Sequence, residues 1–118
     1  MKRSGYRTGL AAEALCRLAL RLKGYHILAS RYRSPRGEID IIAARGRTIA
    51  LIEVKARATK VAAIEAISPR QRARLEAATQ DFLARHPHLN AYHLRFDAML
   101  VAPWQWPTHL ADAWRPGL

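Results

Sequence analysis

Residues 37–55 decide the fold, and they read GEIDIIAARGRTIALIEVK. Apolar runs lie on both sides of a glycine, a pattern that indicates two buried strands joined by a short turn. Gly46 can adopt a positive φ, so Gly46 and Arg47 suit a two-residue hairpin loop with glycine first. This turn predicts that Arg45 faces Thr48.

Counting outward from the turn places one acid of each strand directly opposite the other, Asp40 against Glu53. Opposed side chains on one sheet face have Cβ atoms about 4.5–5.5 Å apart, and Lys55 shares that face because side chains alternate. A longer, four-residue turn would instead set Asp40 opposite Leu51, with Glu53 as a diagonal neighbour.

Two carboxylates at this spacing repel each other and need a proton, a cation or a metal ion between them. Mg²⁺ commonly binds through one or two carboxylates and a substrate phosphate, where it polarises a phosphoryl oxygen. Lys55 would then hold a water molecule or stabilise charge on the phosphate. The alternative is a structural ion pair of Lys55 with Asp40 or Glu53.

Length and charge bound the possible functions. The chain has 118 residues, of which half are hydrophobic, and a net charge of +11 with a pI near 11.1. We expect one domain over residues 1–118, with a basic N-terminal arm and a C-terminal tail rich in Trp and Pro. Such a charge favours an anionic partner, and nucleic acid is the first candidate.

No stretch of the sequence predicts membrane contact. Every apolar run is shorter than the ~18 residues of a spanning helix. Glu13, Arg17, Arg21 and Lys23 interrupt any signal-peptide core. Cys16 is the one cysteine and excludes a disulfide within the chain. A cytoplasmic location is the resulting expectation.

The element order predicted from periodicity and capping signals is helix, three strands, helix, strand. Thr8 is a candidate N-cap for a first helix over residues 8–23, and residues 25–33 and 91–102 have the composition of strands. Ser68, followed by Pro at the next position and Gln71, predicts a second helix with a capping box. We therefore expect an α/β domain whose mixed sheet has about four strands.

Glu13 lies on a helix face that is otherwise small or apolar. Residues three and four apart share that face, and they include Cys16 and Leu20. A salt bridge with Arg17, one turn further on, is the simpler interpretation. The alternative is a third carboxylate directed toward the acids of the hairpin.

Basic residues cluster where a nucleic-acid backbone could bind. The start of the second helix favours anions, and a phosphate there would offset its arginines, although arginines that extend into water carry little cost. The candidate phosphate contacts are Arg33, Arg36, Arg57, Arg70, Arg72 and Arg74.

Two further features carry weaker signals. The tail contains Trp104, Trp106 and Trp114, which could close the core, stack on bases or form a subunit contact, and the first and last are the more usual roles. Asp97 is polar inside an apolar strand with no second acid nearby, so a structural role is expected.

The element order with Asp40 and then Glu53-x-Lys55 resembles the PD-(D/E)XK nuclease superfamily, the restriction-endonuclease-like fold. The chain is more closely similar to the bacterial YraN-type family, which resembles archaeal Holliday junction resolvases. The resemblance spans nearly the whole chain and rests on Gly9, Glu13, Gly24, Tyr25, Tyr32, Arg33, residues 37–42 and 53–57, Ser68, Gln71, and residues 95–97 and 108–114.

This resemblance implies a role for each matching position. Asp40, Glu53 and Glu13 would bind Mg²⁺ or Mn²⁺, which reverses the preference for a Glu13 salt bridge. Lys55 would orient the attacking water or stabilise charge on the phosphate, and Gln71 would lie near the site. Ile39 stands where the superfamily name has Pro, a change that the superfamily tolerates.

Three functional hypotheses follow. The first is a metal-dependent endonuclease acting on DNA, with branched or junction DNA as a candidate substrate and a homodimer as the form that suits it. The second is a non-catalytic, basic nucleic-acid-binding module with a vestigial acidic site. The third is a scaffold protein that dimerises through its Trp-rich tail.

Overall fold

A computed structural model describes the backbone of residues 2–116 and the side chains of residues 9–116. The predicted order of elements is confirmed up to the last of the expected strands, and two short helical segments and a further strand are added. The elements are α1 (Lys2–Leu22), β1 (His26–Ser34), β2 (Gly37–Arg45), β3 (Thr48–Ala56), α2 (Lys60–Glu65), α3 (Pro69–Arg85), a 3₁₀ turn (Pro87–Ala91), β4 (His93–Val101) and β5 (Thr108–Trp114).

The start of the first helix was predicted wrongly. Helix α1 already begins at Lys2, so Thr8 lies inside the helix and is not its N-cap. Thr8 resembles an N-cap because Thr is common at that position. However, Thr also occurs inside helices that tertiary packing stabilises.

The five strands form one mixed sheet in the order β1-β2-β3-β4-β5. Strands β3 and β4 are parallel, whereas the other neighbouring pairs are antiparallel. The expectation of about four strands missed β5, which the tail forms at the edge of the sheet. An edge strand pairs on one side only, and β5 is mostly part-exposed or exposed, so its sequence lacks the apolar alternation of a buried strand.

The predicted hairpin register is confirmed from Arg45–Thr48 at the turn to Ile41–Ile52. Gly46 has a φ of +59°, the left-handed conformation that a glycine adopts without steric cost. The ladder ends one pair short of Asp40 and Glu53. This end of the hairpin is therefore open, with both acids beyond its last pair.

Alternate residues of the hairpin face two separate cores, one under each long helix. The α3 core contains Ile42, Ile49, Leu51, Leu75 and Phe82. The α1 core contains Leu20, Ile41, Ala43, Ala50 and Ile52. By this alternation, Glu53 continues the α3 face of β3, whereas β2 departs from regular alternation around Asp40, since Ile39 and Ile42 both lie in the α3 core.

Asp97 joins β5 to β4 from a fully buried position. Its carboxylate lies 2.7 Å from Arg95 Nη2 and 2.7 Å from His109 Nε2, and it accepts the Asp112 backbone N–H at 2.9 Å. Burial would raise the pKa of Asp97, but these hydrogen bonds outweigh it and hold that pKa below its usual range. The contacts fit the structural role expected for this acid.

The three tryptophans of the tail have different surroundings. Trp114 closes the α3 core, where it stacks on Phe96 with ring centroids 5.8 Å apart and donates to Glu76 at 3.2 Å. Trp104 and Trp106 are exposed. Core closure therefore holds for Trp114 alone.

Gly37 allows β2 to approach α3 closely, and a substitution there tests this packing. A Cβ at Gly37 would overlap the backbone carbonyl of Arg74. We expect Gly37→Ala to lower the free energy of unfolding by about 1–3 kcal/mol or more, measured by urea denaturation. Gly9→Ala is the matched control, because a Cβ at Gly9 in α1 meets open space and should stabilise the helix by about 0.5–1 kcal/mol. Equal stability of Gly37→Ala and the wild type would refute the close approach.

Candidate active site

A small cavity of about 170 Å³ lies at the open end of the β2–β3 hairpin. Four elements contribute to it, and we call it the acid pocket. Its lining residues are Glu13 from α1, Glu38 and Asp40 from β2, Glu53, Val54 and Lys55 from β3, and Gln71 and Arg74 from α3. The structure thus brings together the three acids and the lysine that the sequence singled out.

Asp40 is fixed by the backbone of the neighbouring strand. The Val54 N–H donates a hydrogen bond of 2.8 Å to Asp40 Oδ2. The carboxylate thereby accepts a backbone donor at the point where the β2–β3 ladder has ended. Its second oxygen, Oδ1, is left available to a ligand in the acid pocket.

Glu53 and Lys55 form an ion pair inside the acid pocket. Lys55 Nζ lies 3.3 Å from Glu53 Oε1, and the two side chains are 12% and 13% exposed, respectively. Because they are two residues apart on one strand, they project from the same face. The predicted ion pair of Lys55 with a hairpin acid therefore exists, and it lies within the candidate site.

Glu13 reaches the acid pocket from α1, with 13% of its side chain exposed. Its ion pair is with Arg31, whose Nε lies 3.9 Å from Glu13 Oε1, while Arg17 affects it only as a nearby charge. At that distance no hydrogen bond forms, and Oε1 is buried with no hydrogen-bond partner in the described chain. The Glu13–Arg17 salt bridge, which was the simpler interpretation of the helix alone, is thus not formed, and Glu13 pairs loosely with Arg31 of β1 instead.

Burial raises the pKa values of the two hairpin acids. The pKa of Asp40 rises to about 6, mainly through desolvation and further through Glu13, although the Val54 hydrogen bond and Lys55 oppose the rise. The pKa of Glu53 rises to about 7 through desolvation and the charge of Asp40, against the attraction of Lys55. Because the two acids interact, they titrate as a pair.

The donor set of the acid pocket fits a hard divalent cation, although no metal geometry is already assembled. Among residues whose side chains are described, no group of three or more His, Cys, Asp or Glu is arranged to hold a metal ion. Protein cations lie beside two of the acids instead, Lys55 beside Glu53 and Arg31 beside Glu13. Carboxylate oxygens, one of them buried without a hydrogen bond, are the ligands that Mg²⁺ prefers.

Gln71 has the capping role that its position predicted. Its Oε1 accepts the Ser68 N–H at 3.2 Å, while Ser68 Oγ accepts the Gln71 N–H at 3.1 Å. Gln71 also lines the acid pocket. Since its oxygen is used in the cap, its amide nitrogen is the group that could contact a ligand.

The predicted phosphate-binding arginines do not form one patch. Arg74 lines the acid pocket, and Arg70 is exposed on α3. Arg72 lies over the Trp114 ring, 5.5 Å from its centroid. The remaining three are distributed as follows: Arg36 bonds to Asp81 at 2.6 Å, Arg33 lies 3.8 Å from Glu38, and Arg57 lines a separate groove.

Glu38 and Arg31 are site residues beyond those predicted from the sequence. Glu38 lines the acid pocket, and its position two residues before Asp40 on the same strand could have indicated this. Arg31 has a φ of 53°, an uncommon conformation for a residue other than glycine. No local sequence signal predicts that conformation or the pairing with Glu13.

Comparison with known proteins gives consistent matches over most of the chain. The model of "Uncharacterised protein family UPF0102" matches residues 12–101. The chain belongs to the UPF0102 family. It is 54% identical over 113 residues to a UPF0102 protein of Parvibaculum lavamentivorans, covering 96% of this chain and 85% of that one. A UPF0102 protein of Paramagnetospirillum magneticum is 52% identical over 113 residues, with 92% and 88% covered.

The region matched by UPF0102 contains every residue of the acid pocket, from Glu13 to Arg74. Strand β5 lies outside it. Within the described residues of this UPF0102 protein, no helix has both the length and the apolar character needed to cross a membrane.

Removing one ionisable group of the acid pocket should stabilise the protein at high pH. Because the folded-state pKa of Asp40 is raised to about 6, the protonated form stabilises the fold below about pH 4, and this contribution is lost as the pH rises through about 6. Asn is neutral and can still accept the Val54 N–H. We expect Asp40→Asn to be more stable than the wild type at pH 8 by about 1–2 kcal/mol, and equally stable near pH 4.

Thermal unfolding at pH 4, 6 and 8 measures this difference. Asp81→Asn is the control with the opposite sign, because the hydrogen bond from Arg36 holds the pKa of Asp81 below its usual range. That variant should lose stability at pH 8. A destabilised Asp40→Asn at pH 8 would contradict the electrostatic description of the acid pocket.

Proposed function

We propose that this protein is a metal-dependent endonuclease that hydrolyses phosphodiester bonds in DNA. The observation that carries the proposal is the meeting of Glu13, Asp40, Glu53 and Lys55 in one cavity. The order of these groups along β2 and β3, with a five-stranded mixed sheet between two helices, resembles the PD-(D/E)XK, restriction-endonuclease-like pattern.

The charge of the chain supports DNA as the substrate. The net charge of +11 favours association with a polyanion. Arg74 lies within the acid pocket itself, where a guanidinium can bind a phosphate through two parallel hydrogen bonds. A cluster of buried acids alone would repel a phosphodiester, so the pocket needs such cations and a bound metal ion to admit one.

Glu13, Asp40 and Glu53 are the residues that would hold Mg²⁺ or Mn²⁺, and the ion, when bound, supplies Lewis-acid activation of a phosphoryl oxygen and of water. The Val54 N–H fixes one oxygen of Asp40 and thereby orients the other. The raised pKa values of Asp40 and Glu53 mean that the pair releases a proton when a cation binds.

Lys55 supplies the positive group beside the reacting phosphate. Its ammonium now pairs with Glu53 and carries two further donor hydrogens. These can hold the attacking water or stabilise negative charge that develops on the phosphoryl group. Its low exposure strengthens this interaction, because water screens a buried charge less.

Branched DNA and a homodimer remain part of this proposal. A dimer with two-fold symmetry would present two acid pockets to two strands of a junction. The basic surface would bind the backbone of several substrate shapes, so the shape that is cleaved has to be found by assay.

A non-catalytic DNA-binding module is the second candidate function. One observation favours it: protein cations lie beside two of the acids of the pocket. The described chain also contains no assembled set of metal ligands. In that case the cluster would be a structural network of ion pairs.

A cleavage assay separates the two candidates. Purified protein with Mn²⁺ is incubated with duplex, flap, four-way-junction and single-stranded DNA, and with EDTA in parallel. We expect metal-dependent cleavage of at least one substrate, and a loss of at least about 100-fold in Lys55→Ala, Asp40→Asn and Glu53→Gln. Lys23→Ala is the matched control, because Lys23 is exposed outside the acid pocket.

Binding measured in EDTA provides the second readout. The three pocket variants should still bind DNA, since the basic surface is unchanged. If the wild-type protein binds all four substrates and cleaves none of them with Mn²⁺, the endonuclease proposal fails and the binding module stands.

A further inference from the structure

A second and larger cavity lies beside the acid pocket, between α1, the end of β3 and the β4–β5 loop. We call it the apolar groove, and its volume is about 1060 Å³. Most of its lining residues are apolar, among them Ala12, Leu15, Ala56, Trp104 and Trp106, and Arg57 adds a positive charge. An open apolar surface of this size on a highly charged protein indicates a binding site.

Trp104 extends from the wall of this groove at a backbone position that normally suits glycine. The Gln105 N–H donates to the Ala102 carbonyl at 3.3 Å, with Pro103 second and Trp104 third in the turn. Trp104 has a φ of 60° and is fully exposed. Turns with a positive φ at the third position strongly favour Gly or Asn there. Neither burial nor turn chemistry therefore explains this tryptophan, and a strained residue at an exposed surface points to function.

The loop that carries Trp104 is fixed to the body of the protein. Lys60 Nζ donates to the Trp106 carbonyl at 2.6 Å and to Thr108 Oγ1 at 2.5 Å. Trp106 is itself 54% exposed. The groove thus presents two aromatic rings on an anchored loop, which lowers the entropy lost when a ligand binds.

The apolar groove and the acid pocket are lined by adjacent residues of two elements. Ala12 of the groove precedes Glu13 of the pocket in α1, and Ala56 of the groove follows Lys55 of the pocket in β3. Arg57 follows Lys55 by two residues, or roughly 7 Å along an extended chain. Adjacent residues of β3 project from opposite faces of the sheet, so a ligand that contacts both sites has to pass around the end of β3, as a flexible single strand of DNA can.

We propose that the apolar groove binds unpaired bases of the DNA strand that enters the acid pocket. The substrate would then carry a single-stranded segment next to the cleaved bond, a specificity that rests on the proposed endonuclease function. Bases stack on exposed aromatic side chains without sequence preference, and arginine follows the backbone. The net charge of +11 favours this polyanion over a second copy of the chain, which would bring like charges together.

Trp104→Gly tests the proposal, because it removes the ring and relieves the turn. Affinities for forked DNA and for duplex DNA of equal length are measured by fluorescence anisotropy in EDTA. Stacking of one base contributes about 1–3 kcal/mol, so we expect the forked-to-duplex affinity ratio to fall at least about fivefold. The melting temperature should not fall, since glycine suits the positive φ. Trp104→Phe should keep most of the ratio, and Leu22→Ala, an exposed apolar residue outside the groove, should keep all of it.

Three results would overturn the proposal: an unchanged ratio in Trp104→Gly, an equal loss for forked and duplex DNA, or a change from dimer to monomer in sedimentation that accounts for the loss. The binding assay needs no cleavage, so it separates the two proposals. A wild-type protein that prefers forks through Trp104 but cleaves nothing refutes the endonuclease alone. If the wild type cleaves DNA and Trp104→Gly binds forked DNA as well as the wild type does, only the proposal of base binding in the apolar groove is refuted.

Discussion

The hydrogen bond from the Val54 N–H to the Asp40 carboxylate is the contact on which the site depends. The β2–β3 ladder ends at Ile41–Ile52, and beyond it β3 continues beside β4 to Ala56. The backbone donor of Val54 therefore meets a side chain of β2 where a backbone carbonyl would otherwise be expected. This opening of the hairpin leaves room for Glu13 from α1 and Arg74 from α3, and it creates the acid pocket.

The same opening makes the acid pocket electrostatically costly. Desolvation raises the pKa of each of three neighbouring acids, Glu13, Asp40 and Glu53. Each is partly compensated by a cation, yet Glu13 Oε1 keeps no hydrogen bond in the described chain. Natural proteins commonly retain such destabilised groups where activity requires them. The arrangement does not favour stability, and it therefore supports the proposal that a ligand neutralises the acids.

Turn and capping residues in the sequence predicted the parts of the structure that depend on interactions between residues close in the chain. Gly46 fixed the hairpin register, and Ser68 with Gln71 fixed the start of α3. The predicted cluster of arginines at the start of α3 does not form, because residues two apart on a helix point about 200° apart. Arg72 accordingly packs over Trp114 while Arg74 lines the acid pocket. The helical period could have given this result, whereas the pairing of Glu13 with Arg31 depends on how α1 lies on β1, which no local pattern encodes.

Binding of Mn²⁺ followed by isothermal titration calorimetry tests the central claim, that acids from α1, β2 and β3 share one cation. Titrations at pH 7 in buffers of different ionisation enthalpy report both the heat of binding and the number of protons released. The wild type and Asp81→Asn should bind Mn²⁺ with proton release, whereas Asp40→Asn and Glu13→Gln should lose most of the heat. Equal heats in the wild type and Asp40→Asn, or no heat in any of the four proteins, would contradict the shared site.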